Sequence, residues 1–405
     1  MALMNVYFSD VFEVSPELLE EYGAFNISLI NDIPLFIDPF LLFGSDRPEY
    51  RQLHEGILTY LRFLRDKATA GRVSDGLLRS WYCFPEVKQN WFGFCKSGNE
   101  GSGLGMGFAR ALHRNLETIF SNFGDEQVTQ SSHLEKLCII KDGVGKDNIS
   151  DFTTNLIQSF LAEYTQAFAA EHIEGEFLQE VVIPRARFDF RFERWQPARY
   201  RLPFYNGDHV FLCPVDILTK DDTWINAGDM RRQFDDVIGA IPDVQLRAEI
   251  NNYFASVLPE DPSVKDETEA INKVYRRFRQ LVDYFIRFKE DMAGDARSRS
   301  IEKVGETESF FVQQIGELID LLHEVGFYQS KGDTYAEAME RVAFLKDVIE
   351  NKDGYRLFYI KGKPVQREDD LQILYRLTWF ASERDVNREV NNGRGPVDFK
   401  ISTGD

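Results

Sequence analysis

The stretch Val181–Trp195, VVIPRARFDFRFERW, decides the fold class because its apolar and charged residues alternate strictly. A period of two is typical of a β-strand with one buried and one solvent-exposed face. The pattern predicts three phenylalanines on one face and charged side chains on the other: Phe188, Phe190 and Phe192 against Arg187, Asp189, Arg191 and Glu193. With the strand-like HVFLCPVDIL (209–218), it predicts a small antiparallel sheet within residues 176–218.

Helical patterns lie on the N-terminal side of this sheet. Apolar spacing and breaker residues predict helices over 16–23, 48–67, 107–120 and 151–172, the last with Ser150 or Asp151 as its N-cap. The stretch 25–43, FNISLINDIPLFIDPFLLF, contains two prolines and is predicted to form two short strands. Because helices and short strands are predicted together in this part of the chain, it is predicted to form a mixed α/β domain.

Residues 265–350 have a different, heptad-like pattern. Three segments place apolar residues at alternating spacings of three and four: Ile271, Val274, Phe278, Leu281, Phe285 and Phe288; Phe311, Ile315, Leu318, Leu322 and Val325; Tyr335, Ala338, Val342, Leu345 and Ile349. With breaks near Gly294 and at Gly332-Asp333, the segments predict antiparallel helices packed as a bundle or hairpin arm. This region is also the predicted surface for a protein partner or a homo-oligomer.

These patterns predict an α/β protein of mixed α+β type with three parts. Residues 1–225 are predicted to form a mixed domain, 226–352 a helical bundle or arm, and 353–405 a separate C-terminal module. The formal charge of −19 excludes a protein whose whole surface grips nucleic-acid phosphates, so any such contact uses a local patch. Residues 355–405 carry nine Lys/Arg against eight Asp/Glu, which favours this module for an anionic polymer.

The remaining composition predicts a cytoplasmic protein. Four cysteines are scattered with no CxxC spacing, which argues against a zinc site or a disulfide framework. No signal peptide and no membrane-spanning stretch is predicted. Six histidines lack metal-ligand spacing, and the glycine-rich 96–110 lacks the spacing of a phosphate-binding motif and favours a surface loop.

Arginines and aromatic residues are interleaved around the alternating stretch. Arg187, Arg191 and Arg194 lie beside Phe188, Phe192 and further aromatic residues, a combination that binds nucleic acid by charge and stacking. Asp189 and Glu193 alternate with these arginines, so a self-paired, solvated sheet face explains the pattern equally well. Both interpretations remain open at the level of sequence.

The C-terminal tail, NREVNNGRGPVDFKISTGD (387–405), predicts a hairpin around a glycine-rich turn. Asp398 and Lys400 are two residues apart on one predicted strand and therefore share a face. Glu389 on the neighbouring strand and Glu368 in a predicted helix over 367–381 are further carboxylates within reach. Arg394, in the turn, is included among the predicted nucleic-acid-binding residues. An Asp-x-Lys triplet alone occurs often by chance and favours an ordinary hairpin.

The order of elements adds to this triplet. REDDLQILYRLTW followed by DVNREVNNGRGPVDFKIS resembles the opening of the PD-(D/E)xK nuclease core, and the nuclease-like module of uncharacterised bacterial proteins associated with restriction or phage defence. This resemblance implies a restriction-endonuclease-like αβββ core and Mg²⁺-dependent DNA cleavage in antiviral defence. It further implies that Glu368 and Asp398 hold the metal and that a lysine assists the attacking water.

Two registrations of the nuclease pattern are open. In the favoured one, Glu368 is the helix acid and Asp398 the strand-two acid, and the strand-three motif would lie beyond Asp405. The 405-residue chain is then expected not to cleave by itself. In the other, Asp398 and Lys400 form the strand-three motif and Asp385 is the earlier acid. The alternative function is a non-catalytic sensing, scaffolding or oligomerising module of a defence complex, favoured by the heptad-like helices.

Overall fold

A computed structural model describes most of the chain, with gaps. The described residues are 6–30, 32–71, 73–93, 103–118, 123, 126–137, 145–220, 223–317, 319, 334–351, 359–360, 363–364, 385–391 and 396–402. Within these ranges the protein is a mixed α/β structure in which helices predominate and the sheets are small and antiparallel. The mixed α/β class predicted from the sequence is therefore confirmed.

Local sequence signals define the N-terminal helices. In chain order, the helices described here are Phe8–Val11 (α1), Pro16–Tyr22 (α2), Pro39–Phe43 (α3), Pro48–Thr69 (α4), Asp75–Trp81 (α5), Met106–Thr118 (α6), Lys146–Leu156 (α7) and Gln158–His172 (α8). At α2, the hydroxyl of Ser15 accepts a hydrogen bond from the N–H of Leu18, and Gly23 ends the helix with a φ of 79°. These capping residues explain why α2 lies close to its predicted bounds.

The helix predicted over 151–172 is two helices. Ile157, with φ −106° and ψ 12°, separates α7 from α8. The N-cap prediction is wrong, because α7 begins at Lys146 and Ser150 lies inside it. The buried hydroxyl of Ser150 instead accepts a hydrogen bond from the N–H of Ile37 at 2.9 Å. That contact joins distant parts of the chain and has no local sequence signal.

The strands pair only antiparallel among the described residues. They are Phe36–Ile37 (β1), Leu178–Asp189 (β2), Arg194–Tyr205 (β3), Asp208–His209 (β4), Leu218–Thr219 (β5), Tyr359–Ile360 (β6), Lys363–Pro364 (β7), Asp385–Asn391 (β8) and Pro396–Ser402 (β9). β1 pairs with β5, β2 with β3, β3 with β4, β6 with β7, and β8 with β9. A small antiparallel sheet within 176–218 and the C-terminal hairpin are therefore confirmed. The strand predicted over 209–218 is wrong, because β4 ends at His209 and Val215–Ile217 is a 3-10 turn.

One sequence interpretation of the sheet is wrong. The alternating stretch 181–195 is not a single strand, because the chain reverses at 190–193 between β2 and β3. Phe190 and Phe192 therefore lie in a turn rather than on the face that carries Phe188.

Residues 227–351 are mostly helical where they are described. Their helices are Ala227–Arg232 (α9), Phe234–Ala240 (α10), Val244–Val257 (α11), Val264–Arg277 (α12), Leu281–Asp291 (α13), Ala293–Glu308 (α14) and Thr334–Asn351 (α15), and a π-helical turn, Ser309–Gln314, follows α14. The predicted continuous segment 271–288 is interrupted at 278–280, where Phe278 leaves the helical conformation with ψ 72°. The predicted break at Gly332-Asp333 and the predicted helix over 367–381 lie outside the described residues.

Two hydrophobic cores hold these elements together. The first joins the N-terminal helices and β2–β3, and it also contains Phe310 and Phe311 from the π-helical turn. The second lies among α9–α14 and contains Phe40 and Leu41 of α3. The predicted domain divisions at 225/226 and 352/353 stay predictions. None of the helices in the described ranges is long and apolar enough to cross a membrane.

Candidate nucleic-acid interface

The turn between β2 and β3 is built without glycine. Asp189 Oδ1 accepts hydrogen bonds from the N–H groups of Arg191, at 2.9 Å, and Phe192, at 3.1 Å. Glu193 then takes a left-handed conformation with a φ of 51°. An aspartate that satisfies the backbone donors of a turn, followed by a left-handed residue, reverses the chain into a hairpin.

This turn is anchored to α4 and α5. Lys67 Nζ donates to a carboxylate oxygen of Glu193 at 2.6 Å, and Trp81 Nε1 donates to the Glu193 carbonyl at 2.8 Å. The Phe188 ring lies 4.8 Å from the ring of Tyr60, centroid to centroid, in an edge-to-face arrangement. These contacts fix the position of the turn on the helices beneath it.

The turn presents an aromatic and basic surface, which we call the hairpin tip and define as Phe190, Arg191, Phe192 and Arg194. Phe190 is 45% exposed and Phe192 is 60% exposed. The guanidinium carbons of Arg191 and Arg194 lie 5.3 Å and 5.5 Å from the centroid of the Phe192 ring. This distance is typical of a cation–π contact. The hairpin tip therefore combines positive charge with a solvent-accessible aromatic ring.

The other arginines of the hairpin have partners within the protein. Arg187 forms an ion pair with Glu163, and Arg199 Nη1 lies 2.7 Å from a carboxylate oxygen of Glu180. Arg185 is largely buried and donates to the carbonyl oxygen of Cys83 at 2.7 Å. Arg187 is therefore paired, but with Glu163 of α8 rather than with Asp189 or Glu193 of the sheet face.

Arg191 and Arg194 differ from these arginines. Across the part of the chain that the structure describes, neither has a carboxylate within ion-pair distance. Both side chains belong to exposed residues, and their contact is with Phe192. The two arginines are therefore available to an external anion.

The C-terminal hairpin positions the predicted catalytic residues on β9. Lys400 pairs with Asn387 of β8, and Asp398 lies between the paired positions Val397 and Phe399. Because the flanking pairs are Arg388–Phe399 and Val390–Val397, the register places Glu389 across from Asp398. Residues that lie opposite each other in a ladder share a face, so Glu389, Asp398 and Lys400 occupy one face of this hairpin.

The other predicted site residues cannot be added to this face. Glu368 and Arg394 lie outside the described residues. Among the His, Cys, Asp and Glu side chains in the described ranges, no three come together as a metal-binding group. The Mg²⁺ site implied by the nuclease resemblance therefore stays a prediction.

The sequence interpretation missed a polar cavity between β5, α9 and α14. Its volume is about 170 Å³, and its walls carry carboxylates, hydroxyls and guanidinium groups: Asp38, Thr219, Thr223, Asn226, Asp229, Arg232, Arg299 and Ser300. Asp38 is fully buried and accepts hydrogen bonds from the N–H groups of Phe40 and Trp224. The lining residues come from four separate segments, so no spacing in the sequence indicates the cavity.

Next to this cavity lies a buried carboxyl pair, Asp38 and Glu135. Burial raises the pKa of Asp38, although the backbone donors of Trp224 and Phe40 oppose this effect. Burial also raises the pKa of Glu135 well above its ordinary value, and the charge of Asp38 raises it further. Two carboxyl groups placed this way cannot both ionise without repulsion, so the pair tends to retain a proton.

Comparison with protein families gives two matches. A family described as Domain of unknown function (DUF8370) matches residues 13–226, and one described as Domain of unknown function (DUF8371) matches residues 334–405. The first match contains the hairpin tip, and the second begins at the first residue of α15 and contains β8 and β9. Neither curated proteins nor solved structures gave a match. Because the first match covers more than half of the chain, the protein belongs to the DUF8370 family.

Proposed function

We propose that the protein binds nucleic acid at the hairpin tip and belongs to the restriction-type, Mg²⁺-dependent DNA nucleases of bacterial defence. The observation that carries the binding part is the exposed Phe192 ring in contact with Arg191 and Arg194, neither of which has an ion-pair partner among the residues described.

The hairpin tip has the two properties that single-stranded nucleic acid requires. Guanidinium groups bind phosphate oxygens, and an exposed aromatic ring can stack on any of the bases. The chain as a whole has a formal charge of −19, so its remaining surface repels a polyanion on average. Binding is therefore expected at a local site rather than over a broad face.

The C-terminal hairpin supports the nuclease part of the proposal. Its shared face carries Glu389 and Asp398, and carboxylate oxygens are the ligands that Mg²⁺ prefers. These two residues would hold the ion, together with Glu368 as the resemblance implies. Bound Mg²⁺ stabilises charge on a phosphodiester and activates a water molecule. The proposal also includes the αβββ core, a lysine that assists the attacking water, and a role in bacterial defence.

The binding part is tested by fluorescence anisotropy with a labelled single-stranded DNA oligonucleotide. Because stacking contributes about 1–3 kcal/mol per base, Phe192→Ala should raise the Kd by roughly 5- to 160-fold. Val182→Ala is the matched control, since Val182 is 52% exposed on the same hairpin but outside the hairpin tip. Equal Kd values for the wild type and Phe192→Ala would refute the stacking role.

The metal part is tested by calorimetric titration with Mg²⁺. Asp398→Asn should abolish the binding heat, whereas Val390→Ala, on the opposite face of the same hairpin, should leave it intact. A wild-type chain that shows no Mg²⁺ binding would contradict the proposed metal site.

A nuclease assay tests the alternative registration. Cleavage that is lost in Asp398→Ala, Lys400→Ala and Asp385→Asn would support the alternative registration.

A further inference from the structure

On helix α15 a charged pair is buried, while three apolar side chains are exposed. Glu337 and Arg341 are only 5% and 2% exposed, and their side chains form an ion pair with a distance of 2.7 Å. By contrast, Tyr335 is 73% exposed, Met339 is 52% exposed and Val342 is 45% exposed. A helix on the surface of a monomer normally turns its apolar side inward. The sequence pattern predicted Tyr335 and Val342 as packed positions, so their exposure is a departure from that prediction.

The exposed apolar residues form one stripe along the helix. Tyr335, Met339 and Val342 are spaced by four and three residues, the spacing of a coiled-coil seam. Lys346 continues the stripe at the next position and is exposed, with no ion-pair partner in the described ranges. Exposed apolar side chains at this spacing on one face of a helix favour a protein–protein contact.

The stripe is complementary to itself in the antiparallel direction. A two-fold axis between Glu340 and Arg341 lies equally far from Met339 and Val342, and equally far from Tyr335 and Lys346. Each Met339 would then face Val342 of the other copy, and each Lys346 ammonium group would face the Tyr335 ring of the other copy. Apolar side chains therefore meet apolar ones, and each cation meets an aromatic face. Self-complementarity of this kind is the requirement of a two-fold symmetric interface.

We propose that the stripe Tyr335, Met339, Val342 and Lys346 is the surface on which a second copy of this chain docks, helix against helix in antiparallel orientation. This inference is independent of nucleic-acid binding, because the hairpin tip and α15 lie in different parts of the chain.

The experiment measures the mass of the full chain in solution by sedimentation equilibrium and light scattering. We expect the wild type to be a dimer at micromolar concentration and Met339→Glu to be a monomer, because the substitution places a charge in the centre of the seam. Val264→Glu is the matched control: Val264 is 81% exposed on α12, and its substitution should leave the dimer intact.

A second variant tests the stripe independently of whether Met339→Glu folds. Tyr335→Ala removes a largely exposed side chain and should leave the circular dichroism spectrum unchanged, while it raises the dimer dissociation constant by roughly tenfold, as expected for an aromatic interface contact. Lys346→Glu should weaken the dimer as well, since it replaces the cation that faces the Tyr335 ring.

Three results would overturn the proposal. A monomeric wild type would mean that another part of this chain, or a different protein, covers the stripe. A dimer that resists both Met339→Glu and Tyr335→Ala would place the interface elsewhere. A dimer that Val264→Glu disrupts as strongly as Met339→Glu does would mean that the effect is not specific to the stripe.

Discussion

Substitution of Glu290 tests how residues 126–137 are held on α13. Its side chain is fully buried and collects three contacts: Oε2 accepts from the N–H of Gln130 at 2.7 Å, Oε1 accepts from the N–H of Ser131 at 2.9 Å, and His133 Nε2 lies 2.9 Å from Oε1. Hydrogen bonds to a charged group contribute about 1.5–3 kcal/mol each. Because Glu290→Ala leaves the buried donors unpaired, we expect a loss of about 3–5 kcal/mol in the free energy of unfolding.

The assay is urea unfolding followed by circular dichroism, with hydrogen exchange of the segment 126–137 as a local measurement. Glu269→Ala is the matched control, because Glu269 is also a helical glutamate, its side chain is 63% exposed and its ion pair with Lys273 is at the surface. An exposed pair contributes about 0.2–1 kcal/mol. Equal losses of unfolding free energy in the two variants, or unchanged hydrogen exchange in 126–137 after Glu290→Ala, would show that Glu290 does not hold this segment on α13.

Two further predictions concern pH. Burial, with the nearby charges of Asp147 and Glu86, raises the pKa of Asp151 to about 8, so the folded state holds a proton that the unfolded state releases above about pH 4. Stability should therefore fall as the pH rises from about 4 to 8, by up to about 1.4 kcal/mol per unit, and Asp151→Asn should reduce this slope in urea unfolding. Burial and the charges of His133 and Arg62 lower the pKa of His54 to about 3. Because the unfolded state then binds a proton that the folded state does not, stability should fall as the pH drops from about 6.5 to 3. His54→Leu should reduce this loss of stability, measured by thermal melts at each pH.

Much of the fold follows from local signals in the sequence. Ser15 and Gly23 define α2, and the glycine-rich turn before Pro396 predicts the hairpin of β8 and β9. The turn at 190–193 could not be predicted in this way, because the alternation continues through it without glycine or proline. Its geometry depends on the side chain of Asp189 and on the anchoring of Glu193 by Lys67, a residue far away in the sequence.

The candidate site was predictable only in part. The sequence does not distinguish Arg187 from Arg191 and Arg194. In the structure Glu163 on α8 forms an ion pair with Arg187, whereas the guanidinium groups of Arg191 and Arg194 contact the Phe192 ring. Such ion pairs depend on how a helix packs against the sheet. For the same reason, the heptad-like pattern of α15 could not reveal that its charged pair is buried and its apolar stripe exposed.

The salt dependence of single-stranded DNA binding tests directly whether the hairpin tip is the nucleic-acid interface. Each phosphate contact contributes about 0.7 to the slope of log K against log salt concentration. We expect the double variant Arg191→Ala/Arg194→Ala to lower the slope by about 1.4. Arg187→Ala/Arg199→Ala, which removes the same amount of charge from the same hairpin, should leave the slope unchanged. Equal slopes for the two double variants would contradict the assignment of the hairpin tip as the nucleic-acid interface.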